Sequence, residues 1–180
     1  MDVPAWPSAP ELRTPRLLLE PLRLEHADEA AVAFADPTLH RYTGGCPAGP
    51  DELRDRYARQ VVGHSPDGQQ GWLNWMLRQR RSTHLVGTVQ ATTTRAPDGT
   101  GSAELAWVIA TSHQGQNLAA EAGTVVASWL LREGVRCLVA HVHPANVASA
   151  VTAHRLGMTP TPTLLDGEIE WRGRLHPSTR

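Results

Sequence analysis

The chain has 180 residues, 41% of them apolar and 19% charged, with a formal net charge of −1. That composition suits one globular domain with a substantial core and excludes a disordered chain. The near-zero charge argues against nonspecific binding to nucleic acid or an anionic membrane, and no apolar run approaches the roughly 18 residues of a membrane span. The N-terminus lacks a basic start followed by an apolar segment, so no secretory signal is read and a cytoplasmic protein is expected. Cys46 and Cys137 lie far apart in no metal motif and read as reduced thiols. The histidines show no metal spacing, so no metal is assigned.

Residues 1–15 are proline-rich and read as a loose arm, of which 1–13 are expected to be flexible, with Trp6 a candidate anchor on the body. Residues 16–24, RLLLEPLRL, read as a first strand, and Pro21 places it at an edge or a bulge. Residues 25–35 are Ala-rich with early acids and predict a short helix that Asp36-Pro37 ends. A Gly/Pro loop over 41–50 precedes a second helix over 51–62, with Leu53, Tyr57 and Val61 on one stripe.

Three strands follow in series: residues 71–78, 83–93 and 102–109. In the first, Trp72, Asn74 and Met76 share one face, and Leu73, Trp75 and Leu77 the other. In the second, Gly87 marks a bulge or a close approach. Together they predict an antiparallel meander. Residues 112–122, SHQGQNLAAEA, then form a polar turn opening a long helix, with Leu118, Ala122, Val125, Val126, Trp129 and Leu130 as its apolar stripe and Gly134 as its stop. Such a helix start presents unpaired N–H groups and a positive dipole end, which suit a phosphate or pyrophosphate.

Residues 135–142 read as a buried strand. Residues 147–156 read as a short helix, with Asn146 as N-cap and Gly157 as stop. Residues 159–165 and 168–175 flank Asp166-Gly167, a hairpin signal. Residues 176–180 read as a tail. The order β α α β β β α β α β β predicts an α/β (α+β) domain spanning residues 1–180. Its sheet is mixed and mostly antiparallel, of six to seven strands, flanked by about four helices, with a parallel pair across the strand–helix–strand crossover.

These motifs resemble the GNAT superfamily of N-acetyltransferases, and most closely its RimJ/RimL-like branch. The acyl-CoA signature Gln/Arg-x-x-Gly-x-Gly/Ala is matched by Gln114, Gly115, Gln116, Asn117, Leu118 and Ala119, followed by Glu121-Ala122. The later Asn-x-x-Ser/Ala motif with its terminal glycine is matched by Asn146, Ser149, Gly157 and Met158. The branch's opening Thr-x-Arg-Leu-x-Leu is matched by Thr14, Arg16, Leu17 and Leu19. Two positions depart from the pattern: Asn117 stands where the family has its central glycine, and Ala153 where many members have a tyrosine acid.

The resemblance implies the GNAT fold and transfer of acetyl from acetyl-CoA directly to a primary amine. It implies that Val108 and Ile109 bind the pantetheine arm, that residues 114–120 (Gln114 to Ala120) supply pyrophosphate donors, and that Asn146 contacts the sulfur side. Ser149 is the candidate partner of the departing thiolate. Glu104, His141, and Glu168 or Glu170 are alternative bases, beside a water wire with no single base. Trp72, Asn74, Trp107 and Glu170 are candidates for the acceptor groove. Glu121 reads as a helix-start charge.

The acceptor read first is a small amine such as an aminosugar or antibiotic. A protein N-terminal amine and a noncatalytic acyl-CoA-binding module are the alternatives, the last motivated by Asn117 and Ala153. A monomer or a homodimer is expected, a dimer forming through the C-terminal hairpin.

Overall fold

The computed structural model describes residues 6–42 and 44–176. Most of the tail, and the first five residues of the arm, lie outside them. One eight-stranded sheet runs through the molecule. Its strands are β1 (Leu12–Arg13), β2 (Leu17–Pro21), β3 (Gly71–Gln79), β4 (Leu85–Arg95), β5 (Gly101–Ile109), β6 (Val135–Val142), β7 (Thr159–Leu165) and β8 (Glu168–Arg174). They lie in the order β1-β2-β3-β4-β5-β6-β8-β7. The helices are α1 (His26–Ala33), α2 (Pro50–Gln60), α3 (Leu118–Arg132) and α4 (Val147–Arg155). Every neighbouring pair is antiparallel except β5–β6, which the α3 crossover makes parallel.

The period-2 pattern of β3 gives both of its faces a helix layer. Leu73, Trp75 and Leu77 join the larger core under α3 and α4, with Leu17, Leu19, Val89, Leu105, Leu130 and Leu138. Met76 faces the other way, into a smaller core with Ala27, Ala30, Leu53 and Tyr57 of α1 and α2. Gly87 is a close approach beside a bulge: the β3–β4 register slips after Leu77↔Gly87, and a Cβ at Gly87 would stand 2.5 Å from the Val108 carbonyl oxygen. The Asp166-Gly167 turn has φ of +51° and +85°, the doubly positive geometry of a tight hairpin turn.

The eighth strand corrects the expected six to seven. β1 is two residues long, and its place depends on distant partners rather than local propensity. The Trp75 indole N–H donates to Pro10 O at 2.7 Å, Trp6 donates to Gly68 O at 3.0 Å, and Arg95 stacks on the Trp6 ring at 4.4 Å. The described part of the arm is therefore docked on the body. Pro21 ends β2 beyond the reach of β1, where, among the described residues, no strand on that side needs its missing N–H.

Glu121 joins two of the family-like motifs. Thr14 Oγ1 donates to its Oε1 at 2.5 Å, Arg16 N donates to Oε1 at 3.1 Å, and Arg16 Nε donates to Oε2 at 2.6 Å. Burial pushes the Glu121 carboxyl pKa up, but these hydrogen bonds outweigh burial and hold it below its ordinary range. The residue read as a helix-start charge thus also ties β2 to α3.

His26 sets an acid limit on stability. It is 4% exposed, and the Arg23 backbone N–H donates into its Nδ1 at 3.1 Å, a bond that needs an unprotonated nitrogen. Burial, then the Arg23 charge, lowers its pKa from 6.5. The unfolded chain therefore binds the proton more tightly, and stability is expected to fall as pH drops below about 6.5. A steeper loss should begin near 4.5. There the unfolded counterparts of Glu29, held low by its Arg78 hydrogen bonds, and of Glu121 take up protons. Urea midpoints measured from pH 8 to pH 4 should show both steps. A first step that persists unchanged in His26→Gln would refute the assignment.

Candidate active site

The parallel pair separates partway along its length. β5 and β6 are in register only from Gly101↔Val135 to Glu104↔Val139, after which residues 105–109 pair with β4 alone while 140–142 pair with β8. The β6-facing backbone of residues 105–109 therefore lines an open wedge with no strand partner. Leu105 and Ile109 point into the core under α3, and Trp107 packs against that core from the same face. Ala106 and Glu104 are exposed on the opposite face, with Val108 half-buried there.

At the open end of the wedge the chain turns into α3. Gly115 and Asn117 have φ of +74° and +63°. Gly115 has open space where a side chain would be. Asn117 adopts the left-handed conformation that asparagine tolerates better than most residues. Its side-chain oxygen accepts a hydrogen bond from Arg155 Nη1 of α4. Among the described residues, no partner occupies the backbone N–H groups of residues 115–120, and no side chain caps α3. The Gln114 side chain is turned back, its Nε2 donating to Ile109 O at 3.0 Å. Six consecutive free donors, a helix dipole and a guanidinium one bond away fit a pyrophosphate.

The closed end of the wedge carries titratable groups. Glu104 Oε1 lies 2.9 Å from His141 Nδ1, with the histidine side chain 15% exposed and the carboxylate 53%. His141 is opposite Glu170 in the β6–β8 register. Glu170 is held by Arg172, whose Nε and Nη2 donate to its two oxygens at 2.7 and 3.0 Å, and by Thr161 Oγ1 at 3.2 Å. Arg172 foremost keeps the Glu170 carboxyl below its ordinary range. Glu168 lies one pleat further along β8, beside the turn.

Ser149, in the first turn of α4, donates its backbone N–H to the Asn146 cap at 3.1 Å, and among the described residues its hydroxyl has no hydrogen-bond partner. Ala153 is fully buried in the core.

Trp72 and Asn74 share the Glu104 face of the sheet. The register runs Trp72–Thr92–Glu104 in one row and Asn74–Gln90–Ala106 in the next. Both residues line a cavity of about 460 Å³ between the arm, the end of α2 and β3. Trp107 is not brought to this group, because alternation along β5 turns it to the α3 side. Sequence reasoning missed Arg155, which follows no motif letter, and Tyr42. Residues 36–42 of the loop between α1 and α2 make contacts beyond the ends of both β5 and β6. Asp36, whose carboxyl a Thr111 side-chain hydrogen bond foremost holds below its ordinary range, sits at the β5 end. The Tyr42 ring packs 5.2 Å from His143 at the β6 end. Nothing local in a Gly/Pro loop signals that contact.

A mixed sheet with a splayed parallel pair leading to an α3 start rich in free N–H groups is matched by known proteins. The family description "Acetyltransferase (GNAT) domain" fits residues 16–159. The chain belongs to the GNAT acetyltransferase family.

Among solved structures this GNAT domain is similar to a protein from Bordetella pertussis assigned to the GNAT family, at 25% identity and TM-score 0.67, over 91% of this chain and 99% of that one. It also has the fold of the ribosomal alpha-N-protein acetyltransferase RimL in complex with coenzyme A, at 15% identity and TM-score 0.72, over 90% and 96%. A third similar structure is AAC(6')-Ib in complex with paromomycin and acetyl-CoA, at 13% identity and TM-score 0.70, over 88% and 93%. No curated protein sequence matches the chain. Among the described residues of this GNAT domain, no helix is long and apolar enough to cross a membrane, and no group of three His, Cys, Asp or Glu side chains could hold a metal ion.

Proposed function

We propose that this GNAT domain is an N-acetyltransferase of the RimJ/RimL-like branch that acetylates a small primary amine from acetyl-CoA. The observation that carries the proposal is the Glu104–His141 pair at the closed end of the β5–β6 wedge. Acetyl-CoA would supply an activated thioester. The N–H groups of residues 115–120 would hold its pyrophosphate, and the strand edge of residues 105–109, where only Ile109 O is already taken by Gln114 Nε2, its pantetheine arm, with Val108 and Ile109. The acetyl group then falls beside Glu104 and His141.

Glu104 fixes the imidazole with Nδ1 toward the carboxylate, leaving Nε2 to take the proton from the incoming amine directly or through one water. Glu170 is ill suited to be the base, because a carboxylate paired with arginine has little proton affinity. It instead places a negative charge beside His141. Among the described residues, Glu168 has no hydrogen bond or ion pair that prepares it for proton transfer. The Ser149 hydroxyl, on the other wall of the wedge, would hydrogen-bond the thiolate as it leaves.

The branch assignment is supported by the Thr14, Arg16 and Glu121 cluster, in which two branch-like motifs bind each other. A small acceptor is supported by the loop contacts beyond the ends of β5 and β6 and by the Trp-lined cavity. The competing acceptor, a protein N-terminus, is supported by the likeness to RimL. Thiol release from acetyl-CoA, measured with small amines and with N-terminal peptides, decides between them. Peptide turnover that exceeds every small amine would overturn the small-acceptor reading. Thiol release that no amine accelerates would leave a binding module.

Arg155 is assigned to the donor site by the same reasoning, since no lysine or arginine lies within the loop 114–120 itself. Arg155→Ala is expected to weaken acetyl-CoA binding about tenfold and to flatten its salt dependence, as read by calorimetry. An unchanged Kd would place Arg155 outside the phosphate contacts.

A further inference from the structure

The cavity beside β3 holds two amide groups with nothing to bond. Asn74 is 8% exposed, and among the described residues no hydrogen bond reaches its side-chain amide. The Gln60 Oε1 atom is fully buried and, among the described residues, has no partner. A buried amide without a partner is costly, so the sealed Gln60 Oε1 and the largely buried Asn74 at one cavity point to a ligand that supplies the missing bonds.

The walls define what that ligand is. Trp6, Trp72 and Val61 line the cavity. The indole N–H groups are already spent, Trp6 on Gly68 O at 3.0 Å and Trp72 on Gln70 Oε1 at 3.3 Å, so the rings offer apolar surface. His64 has Nδ1 2.9 Å from Ser65 O. Among the described residues, no aspartate, glutamate, lysine or arginine lines the space. A polycation would find no counter-charge here, whereas Gln60 Oε1 needs a hydrogen-bond donor.

We propose that this cavity binds the non-reacting end of the acceptor, an uncharged, flat, part-apolar group that carries a hydroxyl or amide donor. The inference rests on the acetyltransferase reading and narrows it from amines in general to monoamines with a neutral body. Trp72 and Glu104 stand in one row of the sheet, two strand spacings apart, about 10 Å. An acceptor with its amine at the Glu104–His141 pair and its other end in the cavity is therefore an elongated molecule.

The probes are tyramine, its deoxy analogue phenethylamine, spermidine and glucosamine, each tested in two ways on the full chain. Binding is read from tryptophan fluorescence without acetyl-CoA, and turnover from thiol release. Tyramine is expected to bind at least about tenfold more tightly than phenethylamine, spermidine or glucosamine. Gln60→Leu is expected to raise the KM for tyramine about tenfold with little change in kcat, and to abolish the preference over phenethylamine. Asn74→Ser, which keeps a polar group, should cost less than Asn74→Leu. Equal binding of tyramine and phenethylamine, tighter binding of a polycation, or a preference that survives Gln60→Leu would each overturn the proposal. Tyramine that binds as expected but is not acetylated would uphold the cavity assignment and refute the acceptor role. Acetylation of glucosamine or of a peptide without tyramine binding would refute the cavity assignment and leave the acetyltransferase reading standing.

Discussion

His141→Ala is expected to lower kcat/KM about 10²–10⁴-fold while leaving acetyl-CoA affinity within about twofold. The imidazole lies at the closed end of the wedge, away from the free N–H groups of residues 115–120, so donor binding does not depend on it. Glu104→Gln should cost less, because an amide still hydrogen-bonds the ring but no longer favours a proton on Nδ1. The combination of His141→Ala with Glu104→Gln should be hardly worse than His141→Ala alone, since the carboxylate acts through the ring. Losses that multiply would show two independent groups and return Glu104 to the role of separate base. A full-activity His141→Ala protein would refute the histidine base and leave Glu104 or a water wire.

Trp75→Ala is expected to destabilise the fold by about 3–5 kcal/mol, a drop in Tm of roughly 6–20 °C. Trp75 is completely buried, meets Trp129 of α3 edge-on at 5.8 Å, and donates its indole N–H to Pro10 O. Truncation leaves a cavity between β3 and α3 and strands the Pro10 carbonyl. It also releases the arm that carries Trp6 to the cavity wall. Trp75→Phe keeps much of the packing and removes only the hydrogen bond, so it should cost about 1–3 kcal/mol. Equal losses in the two variants would show that the arm contact, not the core packing, dominates. Thermal unfolding followed by circular dichroism measures both.

Local signals were sufficient for most of the fold. Glycine and proline punctuation set the ends of α2, α3 and α4, and period-2 alternation assigned the two faces of β3. Gly87 stood out because a lone glycine weakens a β-branched strand unless a bulge or a neighbouring backbone requires it, and the structure has both. β1 escaped notice because two residues carry no periodicity. Trp107 was placed by residue type, although strand alternation already separated it from Glu104.

The candidate site divides along the same line. The free N–H groups of residues 115–120 follow from one contiguous stretch, because a helix start leaves its first donors unpaired whatever surrounds it. The left-handed Asn117 likewise obeys a rule of backbone sterics. What tertiary structure alone decided are the encounters between distant residues. Glu104 and His141 are 37 positions apart and read as rival bases, yet they form one hydrogen-bonded pair because β5 and β6 are neighbours in register up to Glu104. Arg155 reaches Asn117 only because α4 packs beside α3. Gln60 and Asn74 share a cavity only because the arm closes it. Sequence order encodes backbone geometry within a few residues. It does not encode which side chains meet across a sheet, because that depends on the register and packing of the whole chain.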